Sequence, residues 1–199
     1  MKIAILVEGE TEQAFKQTLV RFLKTRLTTD MPKLKFYPFR GRLPKKNKLK
    51  RIVDNHLRVH DAVIALTDVY TGTPDFSDAH DAKRKMNKWV GKNVDFYPHV
   101  ACYDFEAWLI PYWVEIQKLA GHNKSKPAGQ PETINHHKPP AFHVKEIFEL
   151  GTCRNSYKKP RDGMRILKDK DLLISANACP ELKAFLNTIL KLSKGKLIP

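Results

Sequence analysis

The sequence predicts an α/β fold of about four mainly parallel strands flanked by helices, with a C-terminal helical extension. Three observations predict it. Short continuous aliphatic runs at 3–7 and 61–68 suit strands covered on both faces rather than strands with one wet side. Stretches with apolar residues at helical spacing separate these runs, which is the order of a parallel sheet with helical crossovers. Beyond Tyr103 the strand and helix alternation stops and helical segments joined by proline-containing connections take over.

Each element has its own signal. Residues 3–7 form the first strand, Gly9 permits a tight turn, and Thr11 fits an N-cap. Phe15, Leu19, Phe22, Leu23 and Leu27 then make the apolar stripe of a helix that ends before Met31 and Pro32. Residues 34–39 read as a second strand, and Leu49, Ile52, Val53 and Leu57 as the buried stripe of a second helix. The run 61–68 is a third strand ending in an acid, followed by a turn-rich segment at 70–74 and a third helix through Trp89. Residues 96–102 supply the fourth strand. A helical pattern at 105–119 is broken by Pro111, and 121–140 is a polar connection longer than most loops of compact domains. Helices are expected at 144–150, 163–168 and 181–192, the last with Pro180 at its first turn. Residues 1–103 are thus read as the α/β core, and 104–199 as an extension packed on it as one globular unit.

Composition narrows the function classes. A chain of 199 residues with 42% hydrophobic residues can bury a self-sufficient core. Its three cysteines, Cys102, Cys153 and Cys179, are odd in number and form no CxxC pair, so a disulfide framework is a poor reading and a cytoplasmic location is expected. The opening apolar run is too short for a signal sequence or a membrane span, so no membrane partner is expected. The formal charge of +15, from 36 Lys and Arg against 21 Asp and Glu, points to a polyanionic partner such as DNA or RNA. Arg40, Arg42, Lys45, Lys46, Lys48, Lys50, Arg51 and Arg58 cluster with Asp54 as the one acid among them, and Lys158, Lys159, Arg161, Arg165, Lys168 and Lys170 form a second cluster. Both are candidate nucleic-acid contacts.

The chemistry is expected where acids meet strand ends. Glu8 ends the first strand, Glu12 lies one helical turn onward, and Asp68 ends the third strand. Carboxylates converging on one sheet edge repel each other unless a cation lies between them, and oxygen ligands alone select a hard ion such as Mg²⁺ or Mn²⁺. The plainer reading is that Glu8 and Glu12 begin a helix, where acids favour the dipole. His136, His137, His143 and Cys153 match no familiar zinc spacing. His99 and Cys102, three apart on a strand, face opposite sides. The tryptophans are read as core.

The string Val7-Glu8-Gly9-Glu10-Thr11-Glu12 resembles the EGxTE signature of Toprim domains in topoisomerases, DnaG-type primases and OLD-family nucleases, and Asp68 falls where their DxD motif begins. Together with Thr67-Asp68-Val69-Tyr70, Pro74-Asp75-Phe76, Asp104-Phe105-Glu106-Ala107-Trp108-Leu109 and Pro131-Glu132-Thr133-Ile134-Asn135, it is similar to an uncharacterised Toprim-like family of small bacterial proteins, over almost the whole chain. The resemblance implies a Rossmann-like sheet and a metal-dependent nuclease in which Asp68 and Glu12 hold the ion and Glu8 is a ligand or the general acid/base. It further implies a partner ATPase of the ABC or OLD type in phage defence. The second DxD aspartate is replaced by Tyr70; Asp75, Asp78 or Glu106 is the expected substitute. The other reading is a degenerate Toprim module that binds nucleic acid or a partner protein without cutting.

Overall fold

The computed structural model describes residues 1–9, 15–69, 75–91, 95–134, 138–153 and 156–199. Four strands, β1 (Lys2–Val7), β2 (Lys33–Pro38), β3 (Ala62–Val69) and β4 (Phe96–Cys102), form one sheet in the order β2-β1-β3-β4. All three pairings are parallel, with Ile5 opposite Phe36 and Ile64, and Asp68 opposite Ala101. The predicted α/β class is therefore the observed one, and β4 has the limits read from the sequence.

The pleat divides the core. Ile3, Ile5, Val7, Ile64 and Leu66 point to one face, where they meet α1 (Lys16–Lys24) and the C-terminal extension. Ala4, Leu6, Val63, Ala65 and Val69 point to the other, against α2 (Lys46–Leu57) and α3 (Ala79–Val90). Burial on both faces is why β1 and β3 read as unbroken apolar runs.

Segment 105–119 departs from the expected kinked helix. It forms two 3₁₀ turns, Phe105–Trp108 and Ile110–Tyr112, before α4 (Trp113–Ala120). Almost every side chain from Phe105 to Trp113 is buried, so no solvent face exists for an amphipathic helix to present. The extension continues as a 3₁₀ turn at Pro131–Thr133, then α5 (Pro140–Leu150), α6 (Lys159–Leu167), α7 (Leu172–Ala178) and α8 (Pro180–Leu192). Helix α7 was not expected, although Asp171 caps it through a bond from the Leu173 N–H at 2.9 Å. The extension shares one apolar cluster with the sheet: Phe15, Trp108 and Phe185 pack with ring centroids about 6.0 Å apart. Among the described residues no helix is long and apolar enough to cross a membrane.

Candidate functional site

Sheet order fixes where a site can form. The chain leaves β1 towards β2 on one side and towards β3 and β4 on the other, so the carboxyl ends of β1 and β3 flank the point where strand order reverses. Glu8 follows β1 there and Asp68 lies at the end of β3. The two open into one pocket with Thr67, Arg42, Lys45 and Asp75, walled on its apolar side by Phe76, Met86 and Trp89.

Glu8 organises the pocket. Its carbonyl accepts the Gly41 N–H at 2.9 Å. Its carboxylate accepts the Thr67 hydroxyl and, at 3.3 Å, the Leu43 N–H. One side chain thus ties the ends of β1 and β3 to the loop that carries Arg42 and Lys45. Burial pushes the Glu8 carboxyl above its ordinary value, against the pull of Thr67, the Leu43 and Asp68 amides and Arg42. A group in that state is suited to giving and taking a proton, and a cation beside it would shift it back towards the carboxylate.

Asp75 is differently engaged. Its carboxylate binds Arg42 at 2.7 Å and also Lys45, and its carbonyl accepts the Lys85 ammonium at 2.9 Å. The Lys45 bond, followed by the charges of Lys45 and Arg42, holds the carboxyl below its ordinary value despite some desolvation. Asp78 caps α3 by accepting the Asp81 N–H at 2.7 Å, an assignment that explains it without a ligand.

Asp68 has the parity of Ile64 and Leu66, so the pleat aims it to the face of the extension while Thr67 turns towards α2 and α3. On that face lies a second group of acids. Tyr103, in a left-handed conformation at φ 68°, donates its N–H to Val69 at 2.9 Å and swings the chain from β4 into the first 3₁₀ turn. Asp104 and Glu106 follow, both 0% exposed. Glu106 accepts the Tyr157 hydroxyl and pairs with the Lys159 ammonium, each at 3.2 Å. Asp104 caps α5 by accepting the Ala141 N–H at 3.1 Å, and its Oδ1 has no hydrogen-bond partner. Burial first, and then the Glu106 charge, raise the Asp104 carboxyl to about 7.

The expected site residues therefore divide. Glu8, Asp68 and Asp75 share the pocket; Glu106 lies beyond β4 with Lys159; Glu12 falls outside the described residues, as do Thr11, Tyr70, His136 and His137. Among the described residues no three His, Cys, Asp or Glu side chains are grouped closely enough to hold a metal. Glu8, beside Thr67, and Asp68, on the side of the extension, reach the sheet edge from its two faces, so a Mg²⁺ or Mn²⁺ at that edge would be completed by water and phosphate oxygens rather than by an all-protein cage.

The basic clusters divide as well. Arg42 and Lys45 line the pocket, whereas Arg40, Lys46, Lys48 and Arg51 are exposed along the loop and α2, and Lys50 pairs with Asp54 at 2.8 Å. Arg161 is folded onto buried Asp162 through two bonds of 2.9 Å, Lys158 is exposed and gives its N–H to Asp162 at 2.8 Å, and Lys159 belongs to the Glu106 pair.

Glu132, which sequence reasoning left without a role, is a structural anchor. It accepts the Trp108 indole N–H at 3.1 Å and the Glu181 and Leu182 N–H groups at 2.9 and 3.3 Å, capping α8 from a distant loop. Asp104 was quoted within a motif but given no function; two acids set among Phe105, Ala107, Trp108 and Leu109 were the signal for buried carboxylates.

No curated protein and no solved structure matches the chain significantly. A comparison with protein families matches residues 7–190 to the domain of unknown function DUF4276. The pocket, the buried acids beyond β4 and the Glu132 anchor all lie within that span, and the chain belongs to the DUF4276 family.

Proposed function

We propose that the pocket at the ends of β1 and β3 is the active site of a metal-dependent nuclease or related phosphodiester-transfer enzyme. The observation that carries this reading is one cleft that brings Glu8 and Asp68 to the topological switch point, with Arg42 and Lys45 at its mouth. Two half-buried carboxylates at the sheet edge beside Arg42 and Lys45, on a protein of charge +15, suit phosphate binding and in-line displacement. The likeness of the Glu8 to Glu12 segment to the Toprim signature adds to it.

A bound Mg²⁺ or Mn²⁺ would neutralise phosphate charge and polarise the phosphoryl oxygens. Arg42 and Lys45 contact the phosphates flanking the scissile bond. Glu8, raised by burial and steadied by Thr67, takes the proton of the attacking water. Asp68, at the end of β3, would hold the ion. An ABC- or OLD-type ATPase is the partner this reading carries with it, on the resemblance alone.

One observation favours a second reading. Among the described residues no three His, Cys, Asp or Glu side chains are grouped to hold a metal, and Asp75 is taken by Arg42 and Lys45, which leaves too few carboxylates for a two-metal arrangement. A module that binds nucleic acid without cutting it needs only the cations. Purified protein is incubated with supercoiled plasmid, single-stranded DNA and structured RNA, with Mg²⁺ or Mn²⁺ against EDTA. Products that appear only with metal support the nuclease; intact substrates with tight, salt-sensitive binding support the module.

A further inference from the structure

We propose that Lys159 is a fixed phosphate clamp beyond β4, positioned by buried Glu106 and Tyr157, and that a nucleic-acid strand crosses the carboxyl edge of the sheet between it and the Arg42–Lys45 pair. The inference deepens the preceding one, since it rests on nucleic acid occupying the same pocket.

The geometry begins with Glu106. A carboxylate that is 0% exposed needs a cation and hydrogen bonds, and it takes both from one segment: the Tyr157 hydroxyl and the Lys159 ammonium, each at 3.2 Å. As a stabilising device this is poor, because apolar residues of similar volume commonly hold a core as well as a buried ion pair does. As a positioning device it is effective. A surface lysine ordinarily loses rotamer entropy when it binds, and anchoring its head to a rigid buried acid removes that cost in advance. The Lys159 side chain is still 49% exposed, so a phosphate can reach it. Asp104 lies beside Glu106 with one oxygen unpartnered, which leaves two carboxylates for one ammonium. Desolvation works against the Lys159 charge, yet Glu106, Asp104 and Asp68 together raise it above the ordinary value.

Glu106 lies four residues past the end of β4, so its ion pair with Lys159 holds the ammonium at the carboxyl edge of the sheet. Read across the sheet, the loop after β2 brings Arg42 and Lys45, β1 brings Glu8, β3 brings Asp68, and the far side of β4 brings Lys159. Cations flank acids on both sides. Three strand spacings make about 14 Å, which a short run of nucleotides spans. The acidic centre repels a polyanion, so a strand lying across it is held by the cations on both flanks.

The test is the salt dependence of binding, measured by fluorescence anisotropy with a labelled oligothymidylate and Ca²⁺ in place of Mg²⁺. Lys159→Met removes the clamp but strands Glu106, so the double variant Glu106→Gln/Lys159→Met, which removes both charges, is measured with it, and circular dichroism checks that it folds. The clamp predicts that the slope of log K against log salt falls by about 0.7 in both variants, the loss of one single-strand phosphate contact, and that Lys159→Arg keeps it. A folded double variant with the wild-type slope, or a wild type that binds no oligonucleotide, overturns the clamp and leaves Lys159 as a counter-ion to Glu106. Cleavage is scored separately. Wild-type cutting with an unchanged slope sinks the clamp alone; slope loss with no wild-type cutting sinks the nuclease alone.

Discussion

At the scale of single residues, Glu8 and Asp104 show how burial raises a carboxyl group above its ordinary value. Glu8 is raised above its ordinary value, so its charged form opposes folding at neutral pH. Glu8→Gln keeps the size of the side chain and an oxygen that can accept from Thr67 and Leu43. Its expected melting temperature at pH 7 is equal to or above that of wild type, while metal-dependent cutting is lost. Asp104 sets a sign of its own. Below the ordinary aspartate value of 3.8 both folded and unfolded chains hold its proton; between there and about 7 the unfolded chain releases it first, so stability falls as pH rises through that window. Asp104→Asn removes this term and retains an oxygen for the Ala141 N–H. Urea denaturation across pH 4 to 7 is expected to show the variant gaining steadily on wild type; parallel curves would refute the assignment.

At the scale of elements, the extension is held by a few long-range polar bonds on an apolar seam. Glu132 joins the Trp108 turn to the start of α8, and Lys83 of α3 reaches Glu181 of α8 at 2.8 Å across the β4 edge. Glu132→Ala leaves the Trp108 indole N–H and two backbone N–H groups without their acceptor. A loss of about 2–4 kcal/mol is expected in urea unfolding, against well under 1 kcal/mol for the exposed Lys48→Ala. Elements were legible where burial is local in origin. Strands β1 and β3 read correctly because a parallel strand covered on both faces is apolar almost throughout, and α2 and α3 because one face is wet. Segment 105–119 misled because its first part, Phe105 to Trp113, is buried on almost every side. Helix α7 was missed because Leu172–Ala178 is short and mostly apolar, so it shows no period.

At the scale of the whole molecule, charge and topology agree. The acids stand at the switch point of the sheet, and cations lie on both sides of it. Glu8 and Asp68 were legible as candidates because an acid directly after an apolar strand has one place to go, the sheet's carboxyl edge. Thr67 and Leu43 as partners of Glu8, and Tyr157 and Lys159 as partners of Glu106, were not. Those contacts span 35 to 59 residues of sequence and exist only once β3, β4 and α6 are packed. Asp75 and Arg161, read as ligand and phosphate contact, are found in ion pairs with Arg42 and Lys45 and with Asp162.

The most direct test of the account is the cleavage rate of single-stranded DNA and structured RNA by wild type, Glu8→Gln and Asp68→Asn, with Mn²⁺ and with EDTA. The account predicts cutting by wild type with Mn²⁺ alone and a loss of at least about 100-fold in both folded variants, the usual size of a removed acid/base or charge-stabilising group. Cutting that survives in both variants, or that persists in EDTA, would contradict it.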